Sequence, residues 1–347
     1  MIIYSKSSGL NNPNIGKLET PLKMIIEHES DLLAKKGGIC DSLFNVEKSN
    51  KFGETIVGQS DFDVFQAVEE GAGAPNDSLY STYKKFFEHI QFMKEFTITA
   101  EMMEDANYGV AADAKRRAEN FTRSYYRTRH KICSLALANG TKRSFMWNQS
   151  TVDTSTYDGL PLFHKAHEFQ TDKMKGKTQS NRFCYENMTT DAAAFEEMLG
   201  ELAVRMRNLK DENGEICGFT ADTIILPNNY SKLERLAKIV AGTERAAGSD
   251  KNDINIQFGN WNVVVIPDWT PKTPSIMVMS SEANKALAGN MFFNRIPLTI
   301  TNWVDHHTGN YIWNGRCRFG VGFGTYKHIM LCEEGAAVDG CEVLTIT

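Results

Sequence analysis

A long amphipathic helix is the clearest element that the order of apolar and polar residues predicts. Apolar residues recur at steps of three or four from Met103 to Leu135, the spacing of one face of an α-helix. Thr99 is a residue type that caps a helix, and Asn139-Gly140 is a stop signal. The pattern predicts a helix over 99–139, about 60 Å long, with Gly109 as a place where it bends or breaks.

Upstream of this helix, the pattern predicts a long β-hairpin over 53–99. Its outgoing strand is 54–68, its tip at 69–77 is rich in turn-forming residues, and its return strand alternates apolar and polar residues over 88–98. A two-stranded hairpin of this length is not stable alone in water. We therefore expect another surface to cover it.

The rest of the chain predicts a weakly periodic N-terminal arm, a small α/β unit and a β-rich C-terminal part. The arm holds one helix over 21–36, which Gly37-Gly38 ends. The α/β unit consists of a helix over 195–209, a strand at 223–226, a helix over 229–240 and a strand at 261–266, with a Gly- and Ser-rich loop at 241–253. The C-terminal strands are 275–280, 298–303, 311–322, 325–332 and 342–346.

Composition narrows the class of protein. The 347 residues carry 38 basic and 43 acidic side chains, a net charge of −5, which argues against a protein whose main task is to bind nucleic-acid phosphates. With 41% hydrophobic residues the chain is globular, and we find neither a secretory signal nor an apolar run long enough for a membrane span. The seven cysteines form no C-x-x-C pair, which favours reduced thiols in a cytosol.

The charges divide into an acidic segment and a basic segment. The segment between positions 52 and 83 contains acidic residues and no lysine or arginine. Its acidic residues are Glu54, Asp61, Asp63, Glu69, Glu70 and Asp77. The segment between positions 115 and 131 contains one acidic residue, Glu119, and seven basic ones. The basic residues are Lys115, Arg116, Arg117, Arg123, Arg127, Arg129 and Lys131. On a helix, one face carries Arg116, Asn120, Arg123, Arg127 and His130. Two solvated faces would explain this pattern, and so would an acidic hairpin of one copy lying on the basic helix of another. A third interpretation, in which the basic helix binds nucleic acid, is less favoured, because no aromatic platform accompanies the helix.

Two patterns resemble ligand sites but lack the required geometry. His164 and His167 follow a turn at Pro161, and His306 and His307 are adjacent, so neither pair has the spacing of a metal site on one helix. We interpret them as hydrogen-bonded histidines in a loop that packs through Phe163. The glycines of 320–324 precede an expected strand rather than a helix, so we interpret them as places where strands approach closely. No catalytic residue, metal ligand or cofactor site is predicted.

The order of the segments and four short motifs carry a family resemblance. The motifs are LANG at 137–140, DGLPLF at 158–163 followed by His164 and His167, IILP at 224–227, and NWNVVVIP at 260–267 followed by Asp268-Trp269. From about residue 40 onward the chain resembles the major capsid proteins of tailed bacteriophages, with the fold first named for phage Hong Kong ninety-seven, and most of all the Mu-like major head subunits.

The resemblance implies an α+β fold with a defined set of parts. These are an N-terminal arm (1–52), an extended β-hairpin or E-loop (53–98), a peripheral domain (99–190 and 291–347) with the spine helix 99–139, and an axial α/β domain (191–290). Some members of the family link subunits through a lysine of the hairpin. No lysine lies between Lys51 and Lys84 here, so we expect non-covalent locking.

The function implied by the resemblance is that of a non-enzymatic shell subunit. Hexamers and pentamers of the chain would form an icosahedral shell around double-stranded DNA, in a virion assembled in the bacterial cytoplasm from a free phage or a prophage. Implied partners are further copies of the chain, a separate scaffold protein, a maturation protease and a portal, without a membrane and without sequence-specific DNA binding. The residues that we expect at subunit interfaces are Asp61, Phe62, Phe65, Glu69, Glu70, Tyr80, Arg116, Arg123 and Arg127, with Phe86 as a further apolar contact.

Three alternatives remain open at the level of sequence. An encapsulin-like nanocompartment would share the fold and would enclose a cargo enzyme instead of a genome. A cytosolic metalloenzyme would use the histidines at 164, 167, 306 and 307. An extended accessory or tail protein would form tubes or rings instead of shells.

Overall fold

The computed structural model of the protein describes residues 3–4, 13–59, 67–69, 81–104, 109–242, 255, 257–335 and 340–345. Within these ranges no helix has the length and apolar character that a bilayer span requires. The helices are α1 (Pro13–Lys36), α2 (Ile39–Leu43), α3 (Ala100–Glu104), α4 (Gly109–Ala138), α5 (Ala192–Arg207), α6 (Ser231–Gly242) and α7 (Ser281–Ala286).

The strands alternate with these helices along the chain. They are β1 (Ile3–Tyr4), β2 (Asn45–Lys48), β3 (Gly53–Gln59), β4 (Ser81–Glu88), β5 (Ile90–Ile98), β6 (Ser144–Trp147), β7 (Ser150–Asp153), β8 (His167–Glu168), β9 (Thr178–Gln179), β10 (Arg182–Tyr185), β11 (Thr223–Pro227), β12 (Asn262–Ile266), β13 (Ser275–Met279), β14 (Asn290–Val304), β15 (Tyr311–Phe323), β16 (Ile329–Glu334) and β17 (Glu342–Val343).

A five-stranded sheet forms the support for the hairpin and for α4. Its strands follow the order β1-β14-β15-β5, and β2 pairs with β14 beside β1. One face of this sheet lies against α4, where the rings of Phe96 and Phe121 are 5.2 Å apart and Leu298 and Trp313 are buried. The helix and the sheet therefore share an apolar core.

The return strand of the predicted hairpin divides at His89, and this corrects the prediction. β4 pairs with β3 in antiparallel register, from Gly53 opposite Glu88 to Gln59 opposite Ser81. β5 instead pairs with β15. The alternation over 88–98 is confirmed as a strand, but its predicted partner was wrong, because alternation shows that one face is buried and not which strand lies alongside. Most of the predicted tip at 69–77 lies outside the described residues.

The predicted helix over 99–139 is described in two parts, α3 and α4, with residues 105–108 outside the described part. Thr99 Oγ1 accepts a hydrogen bond from Met102 N at 3.3 Å, which confirms the predicted cap. α4 ends one residue before Asn139, and its 30 residues span about 45 Å. The predicted bend or break at Gly109 adjoins the residues outside the described part and stays a prediction.

The N-terminal arm is built into the body of the protein. α1 begins at Pro13 rather than at the predicted Pro21, and its Leu22 and Ile26 are buried in the core beside α4. β2 pairs in parallel with the first residues of β14. The arm is therefore anchored both to the long helix and to the sheet.

A six-stranded sheet, in the order β12-β11-β13-β16-β10-β17, forms the second layer. β11, α6 and β12 make the predicted strand–helix–strand unit, with the two strands parallel. Asp191 caps α5 through a 2.8 Å hydrogen bond from Ala194 N. β10, β16 and β17 come from outside 191–290, so hydrogen bonds cross the predicted boundary between the axial and peripheral domains. The domain division itself stays a prediction.

Several bounds differ from the sequence-based expectations in the C-terminal part. β14 begins at Asn290 instead of Leu298, β16 begins at Ile329 instead of Thr325, and α7 was not predicted. The loop predicted at 241–253 lies almost wholly outside the described residues. These differences concern ends of elements, where burial by neighbours and not local pattern sets the boundary.

One apolar core joins the two sheets and the C-terminal half of α4. Its buried members come from α4 (Ile132, Leu137), from the five-stranded sheet (Phe292, Phe319) and from the six-stranded sheet (Ile225, Met277, Leu331). The loop after β7 contributes Leu162 and Phe163. The two sheets and the long helix are thus held by the same packed interior, and the hairpin base packs in a smaller cluster of its own, Phe87 with Met291 and Phe293.

Candidate assembly surfaces

The base of the hairpin is anchored to the body by its inner face. Phe87 is 3% exposed and its ring lies 5.2 Å from that of Phe293. Lys85 Nζ donates to Asp153 Oδ2 at 2.6 Å and to Ser155 Oγ at 2.8 Å. These contacts fix the direction in which β3 and β4 leave the sheet.

The outer face of the same hairpin carries two exposed apolar side chains beside Thr55 and Lys84. Phe86 is 52% exposed and Val57 is 45% exposed, and alternation places both on the side opposite Phe87. Phe86 lies across Gly53, where an added Cβ would be 2.3 Å from the ring. We call this exposed pair, Phe86 and Val57, the outer hairpin face.

Most of the interface residues predicted in the hairpin lie outside the described residues. These are Asp61, Phe62, Phe65, Glu70 and Tyr80. Glu69 is described and exposed. The role of all six therefore stays a prediction, and Phe86 is the member of the apolar set that the structure places on an exposed surface.

The three arginines predicted on α4 lie on its exposed face. Arg116 is accompanied by Asp113, whose Oδ1 lies 2.9 Å from Nη2 of Arg116, and Arg123 Nε lies 2.6 Å from Glu29 Oε1 of α1. Hydrogen bonds from Arg117 and Arg116 hold the pKa of Asp113 below its usual value. Arg127 is exposed one turn beyond Arg123. The structure thus brings the three arginines onto one face, where acids of the same chain partly neutralise two of them.

Arg129 and His130 do not extend this face. Arg129 is 9% exposed, lies 3.4 Å from Asp41 and has its guanidinium 5.0 Å from the centre of the Phe292 ring. His130, which the helical pattern placed beside the arginines, instead packs against Gly38 and accepts a hydrogen bond from Cys40 N at 3.4 Å. The basic face is therefore narrower than the sequence predicted, because α2 covers its C-terminal end.

A groove of about 300 Å³ runs between α4 and β5 beside the basic face. Its walls combine aromatic rings with cationic groups; they are Phe92, Phe121, Tyr125, Lys94 and Arg127. Met93 at its rim is 58% exposed. Such a groove suits a segment that carries both acidic and apolar side chains.

His167, of the first histidine pair, is held by hydrogen bonds and ring stacking in the interior. His167 is fully buried, lies 2.6 Å from Asp158 Oδ2 and 3.2 Å from Asn181 Oδ1, and stacks on Tyr326 with ring centres 3.8 Å apart. Burial alone would raise the pKa of Asp158, but hydrogen bonds from His167 and Thr156 outweigh it and lower the value. Phe163 is buried beside them, as expected.

The second histidine pair lies elsewhere. His306 and His307 are exposed in the turn between β14 and β15, where Asp305 Oδ1 accepts a hydrogen bond from His307 N at 3.1 Å. Among the described residues, no group of three or more side chains has a metal-binding arrangement.

Sequence reasoning missed a buried ion pair behind the hairpin. Glu212 Oε1 lies 2.8 Å from Lys327 Nζ, and both side chains are less than a tenth exposed. Tyr157 Oη donates to the same oxygen at 2.8 Å, and Gln170 N donates to Oε2 at 2.9 Å. Tyr157 also stacks on Tyr83 of β4 at 3.9 Å. No sequence signal reveals the pair, because its members are 115 positions apart.

The glycines of 320–324 allow strands to cross closely, as predicted. A Cβ on Gly320 would lie 2.7 Å from the carbonyl oxygen of Glu88, and one on Gly322 would lie 2.8 Å from the Phe87 ring. At Gly324 the obstacle would be Ala288 O at 2.2 Å. Since two of these contacts are with the end of β4, the absence of side chains lets the hairpin base lie directly on β15.

The fold is similar to that of subunits of solved phage capsids. The capsid structure of cyanophage P-SCSP1u matches with a TM-score of 0.53 and 9% identity over 87% of this chain and 89% of that chain. The capsid of Myoviridae phage XM1 matches with a TM-score of 0.50 and 10% identity over 86% and 92%. No protein-family model matches the chain, and no curated protein sequence does.

These matches cover most of each chain, so the similarity extends over the whole arrangement of helices and strands and is not limited to one motif. The chain has the α+β fold of tailed-phage capsid subunits, which confirms the predicted fold class. The closer resemblance to Mu-like head subunits stays a prediction.

Proposed function

We propose that this chain is a major capsid subunit that self-assembles through hexamers and pentamers into an icosahedral shell around double-stranded DNA. The observation that carries the proposal is a capsid-subunit fold over most of the chain, combined with an outer hairpin face that one subunit leaves uncovered. Exposed apolar surface of this kind is typical of an association site. Weak contacts repeated around closed rings give a stable assembly.

The net charge of −5 supports a container function. A shell that confines DNA needs an inner surface that does not hold the phosphates tightly, and an overall negative charge reduces such binding. A separate scaffold protein, a maturation protease and a portal belong to the same proposal, as do assembly in the bacterial cytoplasm and a location in the virion.

Negative-stain electron microscopy of the purified recombinant chain tests this function. We expect closed shells of uniform diameter, and DNA within particles isolated from producing cells. Particles that enclose a protein cargo instead would support the nanocompartment alternative, and tubes or open rings would support an accessory or tail protein. A monomer at every concentration would contradict all three.

We further propose that the acidic hairpin of one copy lies on the basic face of α4 and in the adjoining groove of another. The hairpin segment between positions 52 and 83 has no basic residue, and the groove provides Lys94 and Arg127 beside aromatic rings. Opposite charges on two association surfaces set their register. The order Asp61-Phe62-Asp63-Val64-Phe65 supplies the acidic and apolar side chains that such a groove accepts.

The paired change Arg116→Glu and Arg127→Glu tests this contact. We expect the variant to fold and to remain unassembled in sedimentation velocity, because like charges would then face each other at the interface. Arg123 is left unchanged, since its 2.6 Å bridge to Glu29 joins α4 to α1 and its reversal would disturb the subunit itself. The variant Arg116→Lys with Arg127→Lys keeps the charge and should assemble. Normal shells from the glutamate variant would refute the charge contact.

A further inference from the structure

The hairpin joins the body of the protein at one buried histidine. His89 stands between the last residue of β4 and the first residue of β5, and it is 4% exposed. Its carbonyl oxygen accepts a hydrogen bond from Arg318 Nε of β15 at 3.4 Å. His89 is therefore the point where the return strand of the hairpin meets the sheet.

The side chain of His89 closes a short chain of hydrogen bonds. Ser49 Oγ lies 2.9 Å from His89 Nε2 and donates its own proton to Glu54 Oε1 at 2.8 Å. Ser49 precedes β3, Glu54 lies in β3, and Ser49 N donates to Asn294 O of β14 at 3.1 Å. The chain of bonds thus ties the arm, the hairpin and the sheet together at one point.

This arrangement fixes the proton on His89. Because the hydroxyl proton of Ser49 goes to Glu54, the hydroxyl oxygen must accept from His89, and Nε2 carries the hydrogen of the neutral ring. Nδ1 is buried against Gly320 and has no hydrogen-bond partner among the described residues. A second proton on Nδ1 would therefore be an unsatisfied buried donor, which is costly.

The charges around the ring also favour its neutral form. Arg318 of β15 and Arg295 of β14 oppose a positive charge there, and Glu54 of β3 favours one while sharing its own charge with Lys51 at 3.5 Å. Burial is the largest effect and lowers the pKa of His89, and Arg318 lowers it further. The Phe293 ring lies edge-on, with its centre 6.4 Å from that of His89.

We propose that the His89–Ser49–Glu54 chain is an acid-sensitive latch, which holds the base of the hairpin against the body while His89 is neutral and releases it when His89 takes up a proton. The pKa of the held histidine lies below its ordinary value, whereas a released ring in water regains a value near 6.5. The latch therefore stabilises the closed base above that pH and weakens as the pH falls below it.

Hydrogen–deuterium exchange of the full-length protein, with rates corrected for the intrinsic effect of pH, tests the latch. For peptides covering β3 and β4 we expect the opening constant to rise between pH 7.5 and 5.5, with about tenfold as the upper limit for uptake of one proton by the opened form. In His89→Gln it should change less than about twofold, because the glutamine amide can donate to Ser49 Oγ and does not titrate.

His328→Gln is the matched control. His328 is also fully buried, lies 2.7 Å from Asn290 Oδ1, and burial lowers its pKa to about 3, but it lies outside the hairpin base. This variant should keep the hairpin response. No rise in the unchanged protein, or an equal rise in His89→Gln, would overturn the latch.

Ser49→Ala provides a second measurement in case His89→Gln does not fold. It removes the acceptor and should speed exchange of β3 and β4 at pH 7.5 without affecting β13. Unchanged exchange in the hairpin would again overturn the proposal. The measurement does not require shells, so its outcome is independent of the proposed capsid function.

Discussion

Replacing Lys327 by methionine is expected to cost about 3–5 kcal/mol of unfolding free energy, because it leaves the Glu212 carboxylate charged in the interior without its partner. The two groups are 2.8 Å apart and nearly excluded from solvent. The hydrogen bonds from Tyr157 and Gln170 N remain in the variant, but they do not neutralise the charge. Urea denaturation followed by circular dichroism measures the loss.

Two comparisons make this prediction specific. The double change Lys327→Met with Glu212→Gln removes both charges and keeps a side-chain oxygen for the donors Tyr157 and Gln170 N, so it should recover most of the stability. Lys175→Met breaks a bridge to Asp172 that is 3.9 Å long and fully solvated, and should change stability by less than about 0.5 kcal/mol. Equal effects of Lys327→Met and Lys175→Met would show that the Lys327 charge is not buried.

Replacing Phe87 by alanine is expected to cost about 3–5 kcal/mol, the range for truncating a buried phenylalanine. Phe87 fills the space between the hairpin and β14, in a cluster with Met291 and Phe293. Loss of the ring leaves a cavity at the base of the hairpin, and the glycine at 322 offers no side chain to fill it. The unfolding free energy from urea denaturation is again the measurement.

The neighbouring Phe86 is a matched control of the same residue type on the opposite face. Phe86→Ala should change the stability of the isolated subunit by less than about 1 kcal/mol, because the ring is half exposed. It should nevertheless reduce shell formation, since the outer hairpin face is proposed as a contact between copies. If Phe86→Ala destabilised the subunit as much as Phe87→Ala, the assignment of the two faces would be wrong.

The hairpin shows how far alternation carries a prediction. The strand at 88–98 is identified correctly because Phe96 and Ile98 recur on the face that α4 covers. Its pairing with β15 was not predicted, since any strand with a matching buried face fits the same pattern. The turn of the chain at His89 is likewise invisible in the sequence, because it depends on Ser49, Glu54 and the space left by Gly320.

For the candidate surfaces too, the local pattern predicted some features and tertiary packing decided the others. The exposed positions of Arg116, Arg123 and Arg127 follow from helical periodicity alone and are confirmed. The bridge from Arg123 to Glu29 and the burial of His130 under α2 needed the packing of the arm, which lies about 90 positions earlier in the chain. No local pattern contains those contacts.

The amino-acid sequence by itself determined several elements of this protein. These are the amphipathic helix that ends just before Asn139, the strand–helix–strand unit that begins with IILP, and the glycines of 320–324 where strands approach closely. These are consequences of short-range periodicity and backbone freedom. Only the tertiary structure decided which strands pair, that Arg129 is buried, and that Lys327 meets Glu212 in the interior. Those outcomes depend on contacts between distant residues, whose free energy exists only once the chain has closed around its core.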